Sequence, residues 1–224
     1  MAKSGNTKVL IVDEHPLFSK GLSSLLESSH KFNITGTAVN IADAVKIAEK
    51  EKPALVIMEI RLGNENGMDL IPKLRAVNPE IVILILSIQD ERYYSERVLR
   101  LGARGYVMKS APEEKIMEAV LTVLDGKIYL GEDERERIFQ TITGENSKTK
   151  KGWTMSLQEL SNRELQVFSL MGKGYGTIEI ASKLNLSTKT IDTHREHIKS
   201  KFHCNSSQEL RQMAIEWSSH SGNI

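Results

Sequence analysis

Polar side chains that could do chemistry stand at the ends of apolar runs in the first half of this 224-residue chain. Asp13 and Glu14 follow the first run, and later runs lead to Glu59, Ser87 and Lys109. In open parallel sheets the reactive groups gather at the carboxyl ends of the strands. We therefore expect these carboxylates, the hydroxyl and the ammonium group to meet in one reactive pocket.

The elements that must position these groups alternate between strand-like and helix-like patterns. Parallel strands need crossover connections, so this alternation predicts a doubly wound (βα)5 domain of the α/β class, with helices on both faces of the sheet. The predicted strands are Lys8–Val12, Asn33–Val39, Ala54–Ile60, Ile81–Ser87 and Gly105–Met108. The predicted helices are Pro16–Ser28, Ile41–Lys50, Gly67–Ala76, Arg92–Leu101 and Pro112–Asp125.

The second half has a different pattern, which predicts an all-α domain of four helices from Leu157 onward. A helix at Thr177–Leu184 is followed after three residues by a longer helix, and this spacing is typical of a helix-turn-helix. Capping signals for these helices are Ser161 with Glu164, Ser206 with Glu209, and Ser187.

A charged helix is predicted between the two halves at Glu132–Ile142, and Gly144–Gly152 has the composition of a flexible linker. We assign the α/β domain to residues 1–128, the linker helix and flexible linker to 129–156, and the helix-turn-helix domain to 157–224.

Charge and composition narrow the function. Residues 1–147 carry 19 Lys+Arg against 22 Asp+Glu, a net charge of −3, whereas residues 148–224 carry 11 against 7, a net charge of +4. The basic half is the candidate for binding nucleic acid. A single cysteine fits a reducing cytoplasm, and the apolar runs are too short to span a bilayer, so we expect no membrane partner. Neither G-x-G-x-x-G nor a Walker A sequence follows a strand, which argues against a nucleotide-dependent enzyme.

Both halves resemble the response-regulator family, in its NarL/FixJ branch with a LuxR-type DNA-binding domain. In the first half the resemblance rests on Val12-Asp13-Glu14-His15-Pro16, Ser87, Gly102-Ala103-Arg104-Gly105-Tyr106, and Lys109 followed by Pro112. In the second half it rests on Leu160-Ser161-Asn162-Arg163-Glu164, Ile178-Glu179-Ile180-Ala181, and Ser187-Thr188-Lys189-Thr190-Ile191-Asp192-Thr193-His194. It implies a transcription regulator with a receiver domain, bound to double-stranded DNA as a homodimer, with a histidine kinase as signalling partner.

The resemblance also implies roles for the pocket residues. Glu59 stands where the family has its phosphoacceptor aspartate, Lys109 would pair with the phosphoryl group, Ser87 would sense it, and Tyr106 would move in response. Magnesium prefers oxygen ligands, and we expect it only if phosphorylation persists, since no cofactor is required otherwise. The groups that would face this ion are Asp13, Glu14, Glu59 and the main-chain carbonyl of Arg61.

Glutamate at the acceptor position predicts a regulator that works without phosphorylation. The extra methylene moves the carboxylate by roughly 1.5 Å, and a misplacement of about 1 Å costs on the order of a hundredfold in rate. Three hypotheses stay open for Glu59. Its carboxylate partly mimics a phosphoryl group at Lys109 and Ser87, or is an inert replacement neutralised by Lys109, or still accepts phosphate weakly.

The helix after Ser187 is the recognition helix by resemblance, and it enters the major groove with its N-terminal part. Its periodicity turns Ile191, Ile198 and Phe202 toward the core. Residues assigned to DNA on its other faces are Thr188, Lys189, Thr190, Asp192, Thr193, Glu196, His197, Lys199 and Lys201.

The acidic members of that set leave two interpretations. Asp192 and Glu196 accept hydrogen bonds from cytosine N4, or they only pair with Lys189, Lys199 or Arg195 on a solvated face. The second interpretation supports an alternative function, a protein-interaction signalling module with impaired DNA readout. A zinc site is a weaker hypothesis than structural roles for its candidate ligands His194, His197, His203 and Cys204.

Overall fold

A computed structural model describes residues 6–143, 157 and 159–220, without the side chains of residues 140–143 and 220. The chain divides into two compact units, Met1–Phe139 and Gln140–Ile224. The flexible linker predicted at Gly144–Gly152 lies outside the described residues, and the domain boundaries at 128 and 156 stay a prediction. Within the described ranges, no helix is long and apolar enough to cross a membrane.

The first unit contains a five-stranded parallel sheet, which confirms the doubly wound α/β prediction. Its strands are β1 (Thr7–Val12), β2 (Phe32–Ala38), β3 (Leu55–Met58), β6 (Val82–Ser87) and β7 (Gly105–Met108). They lie in the order β2-β1-β3-β6-β7, with every neighbouring pair parallel. The strands next to the centre are buried on both faces, and their apolar residues therefore form near-continuous runs.

Four helices connect these strands, and two more follow the last strand. They are α1 (Pro16–Ser28), α2 (Ile41–Glu51), α3 (Leu70–Val77), α4 (Glu91–Leu101), α5 (Glu113–Leu124) and α6 (Glu132–Thr143). A core cluster joins the sheet to α1 and α5, and Leu26, Ile57, Leu84 and Val120 in it are almost completely buried. This packing fixes the strand ends and the side chains that project from them.

The third strand is shorter than predicted, because the chain turns into a hairpin after Met58. The hairpin pairs β4 (Arg61–Leu62) with β5 (Glu65–Asn66), and a 3-10 turn then precedes α3, which begins at Leu70 instead of Gly67. Gly67 donates its amide to Ile60 O at 2.5 Å, and a side chain there would meet Glu59 O at 2.4 Å. This close approach requires glycine and ends the strand early.

The segment that follows α5 extends the free edge of the sheet. The amide of Tyr106 donates to Tyr129 O, and the amide of Tyr129 donates to Arg104 O, both at 3.0 Å. The helix predicted at Glu132–Ile142 follows as α6. It buries Glu134, whose carboxylate accepts hydrogen bonds from Ser95 of α4 and from Arg137.

The second unit contains the four predicted helices: α7 (Asn162–Gly172), α8 (Thr177–Leu184), α9 (Thr188–Lys201) and α10 (Ser207–His220). Phe168 lies at their centre, with its ring centroid 4.9 Å from Phe202 and 5.4 Å from Trp217. The all-α helix-turn-helix prediction is confirmed.

Two of the three predicted caps form as expected. Ser161 and Glu164 make a complete capping box, and the Ser187 hydroxyl accepts from the Thr190 amide. At the last helix, Ser206 accepts from the Glu209 amide, but the Glu209 carboxylate accepts from the Asn205 amide at 2.8 Å. The capping box predicted at Ser206 is therefore wrong in one contact. Ser206 caps the helix, but the Glu209 carboxylate binds the amide of Asn205 instead of the amide of Ser206.

Candidate functional site

The strand ends of the first unit bring four of the predicted residues together. Met58 of β3 pairs with Val12 of β1 and with Ile85 of β6, so these strands end side by side. The residues that follow or close the strands therefore face a common pocket. Those at the pocket are Asp13, Glu59, Ser87 and Lys109, and all four are buried.

Lys109 is the central cation of this pocket. Its Nζ lies 2.5 Å from Oδ2 of Asp13 and 3.1 Å from Oε2 of Glu59. The ring of Phe18, on the first turn of α1, lies 4.4 Å from the same Nζ. Buried charges need paired and hydrogen-bonded partners, and two carboxylates with one aromatic face supply them here.

Glu59 uses both of its carboxylate oxygens. Oε1 accepts hydrogen bonds from the Ser87 hydroxyl and from the Ile60 amide, the latter at 2.7 Å. Oε2 faces Lys109 and accepts from the Ile88 amide at 3.3 Å. The side chain thus reaches across the pocket to Lys109 and Ser87, the two residues that the family resemblance assigns to a phosphoryl group.

Tyr106 is completely buried next to this arrangement. Its hydroxyl donates to Gln89 O at 2.6 Å, and Ser87 Oγ accepts from the Gln89 amide at 3.1 Å. Burial raises the pKa of Tyr106 well above its ordinary value, so the phenol stays a neutral donor. Gln89, two residues after the end of β6, therefore joins Tyr106 to Ser87.

The predicted magnesium ligands do not form a metal site in this arrangement. Asp13 is bonded to Lys109 and also accepts from the His15 amide at 2.9 Å, and Glu59 has both oxygens engaged. Across the described ranges, no group of three acidic, histidine or cysteine side chains could hold a metal ion.

The zinc hypothesis concerns four side chains of the second unit. His194, His197, His203 and Cys204 lie within the described part of the second unit, and they do not form a group that could hold a metal ion. Cys204 is buried, with its Sγ 3.3 Å from Sδ of Met213. It packs as a small apolar residue.

The helix α9 presents the predicted DNA-binding residues on one side and buries the other. Ile191 and Ile198 are completely buried and Phe202 nearly so, which confirms the predicted inward face. The exposed members of the predicted DNA set are Thr188, Lys189, Asp192, Thr193, Glu196 and His197, whereas Thr190, Lys199 and Lys201 are half-buried.

Two of the predicted phosphate-binding lysines are bound inside the domain. Lys199 Nζ lies 2.5 Å from Oε2 of Glu196. Lys201 Nζ donates to Oε2 of Glu164 at 2.7 Å and to the Glu159 carbonyl. The capping-box spacing identified Glu164, but its contact with Lys201 joins residues 37 positions apart, and no local pattern marks such a pair.

Sequence reasoning also missed Phe18, Gln89 and Thr177. Phe18 and Thr177 lie in the first turns of helices, where periodicity assigns a face but no partner. Thr177 Oγ1 accepts a hydrogen bond from Arg195 at 2.5 Å and lies 3.5 Å from Oδ1 of Asp192. For Phe18 the usable signal is position, since the first turn of a helix that follows a strand lies beside the strand ends.

Comparison with known proteins identifies both units. Residues 9–121 match the family described as response regulator receiver domain, and residues 158–214 match bacterial regulatory proteins of the luxR family. The oxygen regulatory protein NreC of Staphylococcus aureus (strain JH9) is 32% identical over 210 residues, which cover 93% of this chain and 97% of NreC.

Solved structures share the fold. A structure of the RcsB response regulator from Salmonella typhimurium has a TM-score of 0.67 at 22% identity, covering 95% of this chain and 98% of RcsB. RcsB from Salmonella enterica serovar Typhimurium, bound to promoter P1flhDC in the presence of phosphomimetic BeF3−, has a TM-score of 0.65 at 22% identity, covering 95% and 100%. The chain belongs to the two-component response regulators that join a receiver domain to a LuxR-type DNA-binding domain.

Proposed function

We propose that this response regulator controls transcription in the cytoplasm without phosphorylation, with the Glu59 carboxylate occupying part of the space of a phosphoryl group. The observation that carries the proposal is the bridge that Glu59 makes between Ser87 and Lys109. A phosphoryl group would need the same lysine and hydroxyl. One carboxylate supplies one negative charge where phosphate brings nearly two, so the mimicry is partial.

Geometry and charge both oppose phosphoryl transfer at Glu59. Attack requires a free carboxylate oxygen in line with the donor, but each Glu59 oxygen already accepts from at least two groups. Lys109 is also paired with Asp13, so one ammonium group bridges both carboxylates. Inert replacement and weak residual phosphorylation are the competing hypotheses, and each predicts a different experimental result.

Treatment with acetyl phosphate and Mg²⁺, followed by intact-mass spectrometry, tests the proposal. We expect no stable phosphoryl adduct on the wild-type chain, whereas Glu59→Asp, with the family's acceptor and the same pocket, serves as the matched control. A stoichiometric gain of one phosphoryl mass at Glu59 would show that the chain is still a phosphorylated regulator, with a histidine kinase as its expected donor.

DNA binding as a homodimer completes the proposed function. The second unit is basic, and α9 exposes Lys189 near its N-terminus, where the helix dipole also attracts a phosphate. One of the structural relatives contains two RcsB dimers bound to two parallel DNAs. A symmetric dimer suits a DNA site made of two half-sites.

A protein-interaction module with impaired DNA readout is the second candidate. It is favoured by the engagement of Lys199, Lys201 and Arg195 within the domain. A mobility-shift assay with genomic fragments over a salt series separates the two. A regulator retains a subset of fragments at about 0.15 M salt, whereas a module without readout releases all fragments alike.

A further inference from the structure

The two carboxylates on the exposed face of α9 have different surroundings. Glu196 is paired with Lys199 on the next turn, at 2.5 Å. Asp192 makes no ion pair within residues 159–219, although it is exposed on the same face. Asp192 therefore keeps its acceptor capacity, and its surroundings decide which way the carboxylate points.

Thr177 is the group that contacts Asp192. The Arg195 guanidinium has only donors, so Thr177 Oγ1 must accept at the 2.5 Å contact with Nη1. The single hydroxyl proton is then available to Oδ1 of Asp192, 3.5 Å away, at the outer limit of a hydrogen bond. A neutral hydroxyl orients the carboxylate without cancelling its charge, and Oδ2 has no partner among the described residues.

The scaffold that holds Thr177 is well defined. Thr177 is the first residue of α8, whose Ile180 and Ala181 are buried, and α9 starts after the left-handed residue Asn185 with its own serine cap. The contact therefore crosses the corner of the helix-turn-helix and joins α8 to two residues of α9. A side chain held by packed elements keeps a narrower range of orientations than one on a free surface.

We propose that Thr177 is a positioning residue for base readout, which fixes the Asp192 carboxylate so that it accepts from the exocyclic amino group of cytosine. Cytosine N4 is the donor that a carboxylate reads in the major groove. The inference rests on the proposed DNA-binding function and names the residue that sets one element of its specificity. Thr177 itself needs no contact with the base.

Selection of the full-length chain against a randomised duplex library, followed by sequencing, provides the test. Asp192→Asn should lower the preference for cytosine at one position in each half-site about tenfold. Thr177→Val, which has the same shape without the hydroxyl, should lower it about three- to tenfold and leave the salt dependence of binding unchanged. Thr177→Ser, which keeps the hydroxyl, should retain the wild-type preference.

The outcomes separate this inference from the proposed function. Wild-type preference in Thr177→Val, with the preference lost in Asp192→Asn, would overturn the positioning role and leave readout by Asp192 in place. Wild-type preference in Asp192→Asn would remove the proposed readout and this inference with it. If Thr177→Val does not fold, as judged by circular dichroism, Arg195→Met takes its place, because it removes the anchor of the hydroxyl, and an unchanged preference there would also overturn the role.

Discussion

Glu59 differs from the family's aspartate by one methylene group, and its carboxylate contacts both Ser87 and Lys109. The side chain is almost completely buried, and it contacts Ser87 at the end of the neighbouring strand β6 and Lys109 just after the edge strand β7. A ligand-like group shifts an equilibrium only by its differential interaction with the two states. One charge-assisted contact of about 1.5–3 kcal/mol changes a population ratio about ten- to a hundredfold.

Removal of the Glu59 charge tests that shift. Glu59→Gln keeps the size of the side chain, and we expect both homodimerisation and DNA affinity to fall, as in Glu59→Ala. Sedimentation equilibrium and DNA titration on the same samples measure the two effects. Glu59→Asp with a phosphoryl donor is the matched comparison, because it should become dependent on that donor. Wild-type behaviour in both the glutamine and the alanine variant would make Glu59 an inert replacement.

The carboxyl group of Glu164 should make the stability of the second unit depend on pH. Burial opposes its ionisation, but hydrogen bonds from Lys201 and Ser161 hold the pKa of its carboxyl below the ordinary value. A lowered carboxyl pKa contributes stability above its unfolded-state value of about 4.3, and this stability is lost as the pH falls through the folded-state pKa. The second unit should therefore lose stability in mild acid.

Urea unfolding from pH 6 to pH 3, followed by tryptophan fluorescence, measures this loss, since both tryptophans lie in the second half of the chain. Glu164→Gln should make the unfolding free energy less dependent on pH over that range. Glu159→Gln, at an exposed position before α7, is the control, and it should keep the wild-type slope. Equal slopes in wild type and Glu164→Gln would count against the Lys201 contact as a source of stability.

At the scale of elements, the buried carboxylate of Glu134 on α6 forms a hydrogen bond with α4. Glu134 accepts from Ser95 and makes two hydrogen bonds of 2.6 Å with Arg137. Glu91 at the start of α4 accepts from the Gly131 amide, although burial raises the pKa of Glu91. The first turn of α6 thus depends on polar contacts made away from water, where a lost partner is costly.

Replacement of Glu134 by glutamine should loosen α6. We expect the protection of its amides against hydrogen exchange to fall by about 1–3 kcal/mol, because Ser95 and Arg137 lose a charged acceptor. Hydrogen exchange followed by mass spectrometry of peptides over residues 132–143 gives the value. Glu132→Gln, at an exposed position of the same helix, should leave protection unchanged. A uniform fall across the receiver would indicate global destabilisation instead.

At the scale of the whole molecule, the chain joins residues 1–147, of net charge −3, to a DNA-binding half, residues 148–224, of net charge +4. This excess is small for a nucleic-acid-binding domain, and several of its cations are engaged internally. Non-specific affinity should therefore be weak, because the phosphate term of DNA binding grows with the number of free cations at the interface. Specific binding then depends on readout by α9.

Substitutions of Lys189 and Thr193 on α9 should separate non-specific from specific DNA binding. Lys189→Ala should weaken binding to all sequences and reduce the salt slope by about 1, whereas Thr193→Ala should mainly relax base preference. Titrations over a salt series with a selected and a scrambled duplex give both quantities. Lys31→Ala, at an exposed position of the receiver, is the charge-matched control. Unchanged affinity in both α9 variants would overturn the recognition-helix assignment.

The sequence by itself determined the alternation of strands and helices, the helix-turn-helix, two of the three caps and the composition of the pocket. These features follow from periodicity and from short-range capping signals, which act within about four residues. The tertiary structure decided what the pocket residues do to one another. Lys109 binds Asp13 and Glu59 together, although the three are separated by some fifty residues at each step.

The same division holds in the second unit. The sequence marked Lys201 and Asp192 as candidates for binding DNA, but only packing brought Glu164 to Lys201 and Thr177 to Asp192. The hairpin after β3 also escaped prediction, because its cause is the approach of Gly67 to the Glu59 carbonyl. Contacts between distant residues depend on how whole elements pack, and that information is absent from any short window of sequence.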